Sequence, residues 1–229
     1  SGDGKDLDLA GLVGSLLKET ETVLESSGRY KEQLFASTQE VEKLRSDLEQ
    51  VKQEAQRDPL TGLANRKVLD KELDQLIQSA DDGCQSCVVM LDVDHFKRLN
   101  DRFGHLVGDK VLKYIANTLT AAVKGRDCVA RYGGEEFCVI LRDIPVEGAR
   151  SVAEGIRKTI QDSNLKRSET GESLGRVTVS LGLTMVKPGD NRDSVIERAD
   201  GALYTSKNQG RNRVTVREAS ETAEEVEMA

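Results

Sequence analysis

The fold is decided by two apolar segments that a pair of glycines joins: Cys128-Val129-Ala130-Arg131-Tyr132-Gly133-Gly134-Glu135-Glu136-Phe137-Cys138-Val139-Ile140-Leu141. Gly-Gly between strand-like segments indicates a β-hairpin, because a type I′ turn requires a positive φ at both central positions. Two consecutive glutamates follow the glycines, and neighbouring carboxylates repel each other unless a cation compensates their charge. The stretch therefore predicts a hairpin whose tip displays two acids.

A second apolar segment, Val88-Val89-Met90-Leu91-Asp92-Val93-Asp94, also ends in acids. Such a run indicates a strand that is buried on both faces. Asp92 and Asp94 lie two positions apart, so they share one face of an extended backbone. A carboxylate at the end of a buried strand has to be paired, hydrogen-bonded or bound to a cation, and Mg²⁺ suits this position. The alternative for Asp94 is a structural role, capping a helix that begins near Phe96.

Helical and strand-like segments alternate along the rest of residues 57–216. This order favours an α/β fold (an α+β sandwich) in which helices flank a central mixed sheet. The predicted helices are 65–80, 95–103, 107–124, 146–163 and 192–208, and the predicted strands are 86–93, 128–132, 136–141, 176–184 and 213–216.

Residues 1–56 follow a different pattern, with apolar residues at heptad spacing. Leu34, Val41, Leu48 and Ala55 occupy one heptad position, Leu44 and Val51 occupy the other, and the same phase collects Val13, Leu16, Val23 and Tyr30. Charged residues between them complete the pattern of a coiled-coil stalk. Ser26-Ser27-Gly28 interrupts the repeat and predicts a break between two helices. The alternative is a solvated amphipathic helix that packs on its own domain.

Charge is distributed unevenly along the 229 residues, which carry a net charge of −7. Residues 1–56 have a net charge of −5, residues 57–216 of +2 and residues 217–229 of −4. We interpret these as three parts: the helical stalk, a folded domain and an acidic, disordered tail. An acidic chain is a poor candidate for coating nucleic acid, whereas a slightly basic middle can receive a small anionic ligand.

The sequence also bears on the compartment. No apolar run approaches the roughly 18 residues of a membrane helix, and no secretory signal is visible, so we expect a cytoplasmic protein without membrane insertion. Four cysteines fit a reducing compartment. Cys84 and Cys87 have the spacing of a redox or zinc pair, but no second pair completes a zinc site, and we interpret the cysteines as small hydrophobic residues.

A hairpin that displays acids beside a strand that ends in acids would build a carboxylate pocket for divalent metal. Metal ions in such a pocket can activate a hydroxyl group and neutralise a polyphosphate. The residues alone therefore predict metal-dependent phosphoryl or nucleotidyl transfer.

The same segments resemble the GGDEF family, the diguanylate cyclases, which condense two GTP into cyclic di-GMP and release pyrophosphate. Gly133-Gly134-Glu135-Glu136-Phe137 is similar to the family signature, and the resemblance extends over about 57–216. Further blocks in the same order are Asp58-Pro59-Leu60-Thr61-Gly62-Leu63-Ala64-Asn65-Arg66, Asp92–Asp101, Gly104–Asp109, Ser180-Leu181-Gly182, Ala199-Asp200 and Tyr204–Asn212. The resemblance implies a fold like that of the polymerase palm and of adenylyl cyclases.

The resemblance also implies site roles. Asp92 and Glu135, with the Val93 carbonyl and Glu136 assisting, would hold Mg²⁺ (or Mn²⁺), two ions per active site. Glu135 and Glu136 would be the catalytic acids, with Glu135 helping to deprotonate the ribose 3′-hydroxyl. The implied substrate-binding residues are Asn100 and Asp109 for the guanine edge, Phe96, Lys97, Lys207 and Arg211 for the phosphates, and His105 in a less defined role. Lys207 and Arg211 are expected one helical turn apart.

One departure from the family pattern concerns product inhibition. Many members carry Arg-x-x-Asp before the hairpin, where the product binds and inhibits. Here Lys124 replaces the arginine and Asp127 is kept. Because lysine lacks the planar fork of a guanidinium group, we expect this inhibitory site to be degenerate and product inhibition to be weak or absent.

The reaction joins two GTP molecules, so the resemblance implies a homodimer, or a higher homo-oligomer, with facing half-sites. We expect the stalk to set that geometry and a regulatory protein to act on it. The rival interpretations are a catalytically silent receptor for GTP or cyclic di-GMP, and a scaffold whose main work is helical pairing.

Overall fold

The computed structural model describes residues 9–80, 85–166 and 172–217. It divides between Ala55 and Gln56 into two compact units. The predicted acidic tail from 218 onward and Cys84 lie outside the described residues. Within the described ranges, no helix is long and apolar enough to cross a membrane.

The described residues of the first unit, 9–55, contain one helix, α1 (Leu9–Glu54). The predicted break at Ser26-Ser27-Gly28 is wrong, because the helix continues through these residues. The Ser26 hydroxyl donates a hydrogen bond to the Val23 carbonyl and is accommodated within the helix. A single glycine costs a helix only about 1 kcal/mol relative to alanine, which the surrounding turns absorb.

The second unit contains five helices and five strands within its described residues. In chain order they are α2 (Arg66–Ala80), β1 (Ser86–Val93), α3 (Phe96–Phe103), α4 (His105–Ala122), β2 (Cys128–Gly133), β3 (Glu136–Leu141), α5 (Val146–Gln161), β4 (Val179–Val186), α6 (Arg192–Asn208) and β5 (Val214–Val216).

The strands form one mixed sheet in the order β2-β3-β1-β4-β5. β1 is central and antiparallel to β3 and β4, whereas β5 runs parallel to β4. Every residue of β1 is buried, as its continuous apolar sequence predicts. The predicted mixed sheet flanked by helices is confirmed.

Each face of the sheet carries its own apolar core. Val89 and Leu91 of β1 pack with residues of α4 and α5, whereas Val88 and Met90 pack with residues of α2 and α6. Alternate residues of a strand point to opposite faces, so Asp92 continues the Val88–Met90 row. That row places its carboxylate on the face that α6 covers.

The β2–β3 hairpin forms, but its turn differs from the predicted one. Gly133 pairs with Glu136, so Gly134 and Glu135 are the central residues of the turn. Gly134 has a positive φ of 50°, whereas Gly133 and Glu135 do not, which excludes type I′. The register shifts between Arg131 and Gly133, and this irregularity moves the turn one residue along the chain. Glu135 therefore lies in the turn itself.

Candidate active site

Three acids meet where β1 and β3 run side by side. Asp92 of β1 lies opposite Glu136 of β3, and the Val93 N–H donates to the Glu135 carbonyl at 3.4 Å. Asp92 is 6 % exposed, while Glu135 and Glu136 are half-buried. These contacts bring together the three acids that the sequence singles out. Their proximity has a cost, because like charges opposite each other in a sheet are destabilising.

One lysine forms an ion pair with this group. Lys207 Nζ of α6 lies 2.9 Å from Asp92 Oδ2. Burial raises the pKa of Asp92 in spite of this lysine. Burial and then the charge of Asp92 raise the pKa of both Glu135 and Glu136. Arg211 also acts on Asp92 and Arg66 on Glu136, but the pKa values of all three acids stay raised, so the site is short of positive charge.

The donor set fits a hard divalent cation such as Mg²⁺, because it consists of carboxylate oxygens. Within the described residues, no three His, Cys, Asp or Glu side chains are close enough to count as a formed metal cluster. Lys207, in contact with Asp92, supplies positive charge at the same place. The fit therefore rests on the chemistry of the oxygens and on their raised pKa values.

Helix α6 reaches this site because it packs directly on β4. A Cβ atom at Gly182 would overlap the backbone of α6 at Ala199 and Leu203, so only glycine permits this approach. The Ser206 hydroxyl donates to the Leu181 carbonyl at 2.7 Å and anchors the end of the helix to the same strand. Lys207 follows immediately and is thereby held beside Asp92.

Arg211 is not on α6, so the prediction that it follows Lys207 by one helical turn is wrong. The helix ends at Asn208, and both Arg211 and Asn212 adopt the left-handed conformation, with φ of 62° and 48°. Gly210 precedes them and lets the chain leave the helix abruptly. The positive charge of Arg211 nevertheless acts on Asp92, whose pKa it lowers against the dominant effect of burial.

Helices α3 and α4 hold five of the predicted substrate residues. Phe96, the first residue of α3, is buried, and Lys97 beside it is exposed. Asn100 Oδ1 is buried and has no hydrogen-bond partner among the described residues. A Cβ atom at Gly108 would overlap this oxygen, so the glycine is what allows the Asn100 side chain to lie against α4. A buried acceptor without a partner costs free energy, which a ligand donor would recover.

The start of α4 borders a cleft of about 530 Å³. His105 and Asp109 line it, together with Lys113 and Lys166. His105 is exposed and Asp109 is half-buried. With Lys110, which also lines it, the cleft combines one acid with three lysines, and it lies within one helical turn of Gly108.

Asp94 has a structural role, but the predicted helix cap is wrong. His95, with a φ of 59°, precedes α3, and no side chain caps that helix. Asp94 instead accepts hydrogen bonds from Thr178 Oγ1 and Ser180 Oγ, both at 2.7 Å, and from the Asn212 N–H at 3.1 Å. Its carboxylate therefore ties β1 to β4 and to the segment that carries Arg211.

Arg131 lies at the site, although the sequence predicts no role for it. Its Nη1 donates to both carboxylate oxygens of Asp58, and its Nε and Nη2 donate to the Gly134 carbonyl at 3.0 and 2.6 Å. Burial would raise the pKa of Asp58, but hydrogen bonds from Thr61 and the charge of Arg131 lower it overall. Arg131 thus fixes the turn that carries Glu135. An arginine two positions before Gly-Gly was the only sequence signal.

Lys124 and Asp127 lie in the loop that precedes β2. Asp127 accepts backbone hydrogen bonds from Lys124 of the same loop at 3.0 Å and from Arg142, directly after β3, at 2.9 Å, so each of its oxygens has a backbone partner. Lys124 and Arg126 are exposed. Asp127 therefore has a structural function in addition to any contact with product.

The mixed sheet thus carries acids on the adjacent strands β1 and β3 and in the glycine turn that joins β2 to β3. The chain belongs to the GGDEF family: the family model described as diguanylate cyclase, GGDEF domain, matches residues 55–213. This membership confirms the resemblance that the sequence motifs indicate.

Among curated proteins, the chain is 38 % identical to diguanylate cyclase VdcA of Vibrio cholerae over 89 % of its own length and 59 % of that protein. It is 40 % identical to diguanylate cyclase DgcP of Pseudomonas aeruginosa over 92 % of its length and 32 % of that protein. The chain thus spans between about a third and three fifths of these two relatives.

Two solved structures extend the similarity over the helix as well. The coiled coil and GGDEF domain of DgcB from Caulobacter crescentus, in complex with c-di-GMP, is 44 % identical with a TM-score of 0.79, covering 82 % of this chain and 98 % of that one. Diguanylate cyclase SiaD of Pseudomonas aeruginosa, in complex with its activator SiaC, is 32 % identical with a TM-score of 0.69, covering 93 % and 77 %. The likeness to DgcB is consistent with α1 as a coiled-coil stalk.

Proposed function

We propose that this protein is a diguanylate cyclase that condenses two GTP into cyclic di-GMP. Each ribose 3′-oxygen would attack the α-phosphorus of the other GTP, the bond to the β-phosphate would break, and pyrophosphate would leave. The 3′-hydroxyl proton would pass to Glu135 or to solvent. The observation that carries the proposal is the group of three acids with raised pKa values at adjacent strand ends, in a chain of this family.

Asp92 and Glu135, with the Val93 carbonyl and Glu136, are the residues that would hold Mg²⁺ or Mn²⁺, two ions per site. Bound metal would polarise the phosphoryl oxygens and increase the acidity of the 3′-hydroxyl. Lys207 would then leave Asp92 for the β- and γ-phosphates, with Arg211, Lys97 and the backbone N–H of Phe96 as further anion ligands.

We propose Asn100 and Asp109 as the residues that select guanine. The buried Oδ1 of Asn100 has no partner among the described residues, and Gly108 allows the Asn100 side chain to lie against α4. Asp109 can accept hydrogen bonds from the ring N–H and exocyclic amine of guanine, and adenine offers no such pair of donors. His105 would border the same base. GTP should therefore be used and ATP rejected.

The direct test incubates the full chain with GTP and Mg²⁺ and measures both products. The proposal predicts two pyrophosphates for each cyclic di-GMP, and neither product from ATP. Binding of GTP without release of pyrophosphate would contradict it and favour the silent receptor. Unchanged in vivo function after Asp92→Asn would favour the scaffold.

We also propose that the enzyme works as a dimer joined by the stalk, because each catalytic domain offers one half-site. The heptad residues of α1 are exposed: Leu34 73 %, Leu44 61 %, Leu48 54 % and Val51 60 %. In a parallel, in-register pair, Glu40 and Asp47 would face Arg45 and Lys52 of the second copy at the flanking positions. An antiparallel pair would place like charges together. The charge pattern thus supports two catalytic domains at the same end.

The stalk proposal predicts that activity depends on the heptad seam. Leu44→Glu, in the seam, should dissociate the dimer and lower turnover at dilute enzyme by about 10-fold or more, because the half-sites then meet only by diffusion. Phe35→Glu is the matched control, since Phe35 is 67 % exposed but lies outside the seam. Analytical ultracentrifugation with activity against enzyme concentration checks both. Equal activity of the two variants at nanomolar enzyme would contradict the proposal.

Regulation through the stalk completes the proposal. We propose a regulatory protein that binds α1, supported by its exposed apolar stripe and by the activator bound to the SiaD relative.

The proposed parts are 1–56 as stalk, 57–216 as catalytic domain and 217–229 as tail. The enzyme would act in the cytoplasm, where GTP is available. The division between Ala55 and Gln56 supports the first boundary.

Product inhibition should be weak, because Lys124 replaces arginine and both oxygens of Asp127 already accept backbone hydrogen bonds. Titrating cyclic di-GMP into a steady-state assay measures it. Strong inhibition of the wild type at low micromolar product would contradict this proposal. In that case Lys124→Arg should change the inhibition constant little.

A further inference from the structure

The segment after α6 holds two consecutive non-glycine residues in the left-handed conformation. Arg211 has a φ of 62° and Asn212 a φ of 48°. Asparagine tolerates this region better than other residues with a side chain, whereas arginine does not favour it. Such a pair persists only where the surroundings determine it, and strain of this kind concentrates at functional sites.

The backbone of the pair is held from two sides. The Arg211 N–H donates to the Ser206 carbonyl at 3.0 Å, and the Asn212 N–H donates to Asp94 Oδ2 at 3.1 Å. Asp94 is itself oriented by the hydroxyl groups of Thr178 and Ser180. Both peptide groups therefore have fixed partners.

The side chain of Asn212 is held by α5. Arg157 Nη1 donates to Asn212 Oδ1 at 2.9 Å, and Asn212 Nδ2 donates to Gln161 Oε1 at 2.6 Å. Arg157 Nη1 also donates to Gln161 Oε1, at 2.7 Å, and its Nε donates to Glu154 Oε2 at 2.9 Å. The Arg157 side chain is only 13 % exposed. All the polar atoms of the Asn212 amide group therefore face a preformed network on another helix.

We propose that Asn212 is a positioning residue that, through Arg157 and Gln161, holds the left-handed backbone of Arg211 so that its guanidinium group faces the carboxylate site. The influence of the Arg211 charge on Asp92 supports this orientation. The inference rests on the proposed function, in which Arg211 binds the β- and γ-phosphates of GTP. It adds that the phosphate ligand is preorganised by α5, on the other face of the sheet from α6.

The consequence is specific to phosphate binding. Asn212→Ala removes the amide and disfavours the left-handed backbone, so Arg211 should lose its fixed direction. We expect KM for GTP to rise about 10-fold, with kcat at saturating GTP changed less than threefold. GMP lacks the β- and γ-phosphates, so its competitive inhibition constant should be unchanged.

The test compares four full-length proteins: wild type, Asn212→Ala, Arg211→Ala and the double variant. Because Asn212 acts through Arg211, the double variant should bind GTP no more weakly than Arg211→Ala alone. Equilibrium binding of a GTP analogue with a methylene bridge between the α- and β-phosphorus atoms gives a readout besides turnover. Asn191→Ala is the matched control: Asn191 caps the other end of α6 and should affect Tm without affecting KM.

Additive losses in the double variant, or an unchanged KM in Asn212→Ala, would overturn the inference. If Asn212→Ala does not fold, Gln161→Ala removes only one partner of the amide and should raise KM in the same direction. If the wild type makes cyclic di-GMP and Asn212→Ala has the same KM, the proposed function stands and only this inference is overturned. Wild type that neither reacts nor binds the analogue would overturn both.

Discussion

Two sets of partly or fully buried acids in the unit from Gln56 onward show opposite electrostatics. Asp92, Glu135 and Glu136 have raised pKa values and share Lys207. Asp58 and Asp190 have lowered pKa values, and each is paired with an arginine, Arg131 and Arg198. The second set stabilises the fold, whereas the first set is costly to the fold. That cost supports the proposal that the first set binds a cation.

Neutralising one acid of the first set should have the largest effect. Glu135→Gln keeps the shape of the side chain but removes its charge, and we expect cyclase activity to fall about 1,000-fold. The free energy of unfolding in the presence of a chelator should stay equal or rise, because repulsion from Asp92 and Glu136 is relieved. Product formation and urea unfolding on the same preparation measure both quantities. A variant that keeps activity, or that is clearly destabilised, would break the comparison.

Substituting the arginines that pair with the second set should distinguish an effect on the position of Glu135 from an effect on stability. Arg131→Gln removes the bonds to Asp58 and to the Gly134 carbonyl, so the turn that carries Glu135 loosens, and we expect kcat to fall about 10- to 100-fold. Arg198→Gln is the matched control, because Arg198 likewise bridges a carboxylate, Asp190, and a carbonyl, Met185. The side chains are similarly exposed, Arg198 by 14 % and Arg131 by 17 %.

Both arginine variants should lose about 1–3 kcal/mol of stability, as expected for buried hydrogen bonds to a charged group. Urea unfolding measures this loss, and turnover at saturating GTP distinguishes the two. Equal losses of kcat in Arg131→Gln and Arg198→Gln would assign Arg131 to the fold alone.

The sequence predicted the sheet and the acids better than their partners. β1 and the β2–β3 hairpin were predictable because apolar runs of strand length and a glycine turn are local signals. The pairing of Lys207 with Asp92 was not, because it depends on how closely α6 approaches β4 at Gly182. The left-handed backbone at Arg211 depends likewise on contacts from β1 and α5 that no local pattern contains.

The predicted helix break and the predicted helix cap were wrong for the same physical reason. Ser26-Ser27-Gly28 has the composition of a break, yet a single turn of weak helix formers is continued by the turns on either side. Asp94 has the spacing of a cap, but hydroxyl groups of β4 and its preceding residues bind it more directly. In both places the surrounding structure outweighs the local preference.

The smallest predicted effect is the pH dependence of the free energy of unfolding at Asp190, one of the two arginine-paired acids. Burial alone would raise the pKa of Asp190, but hydrogen bonds from Arg198, Lys187 and Ser194 lower it below its ordinary value of 3.8. A lowered pKa means that the stabilisation is present above the unfolded-state value and is lost as pH falls through the folded-state value. Asp190→Asn should therefore lower the free energy of unfolding by about 2 kcal/mol at pH 7 and by less at pH 3.

Urea unfolding of wild type and Asp190→Asn at pH 7 and pH 3 checks this. A difference that grows toward pH 3 would reverse the assigned sign. Cyclase activity at pH 7 should be the same in both proteins, since Asp190 lies outside the acid cluster.

The most direct test of the acid cluster as a metal site titrates Mg²⁺ into the full chain and follows metal binding and cyclic di-GMP formation from GTP together. We predict no product in the presence of a chelator, activity that rises with occupancy, and at least 10-fold weaker metal binding in Asp92→Asn. Product formed without metal, or metal binding that is unchanged in Asp92→Asn, would contradict it.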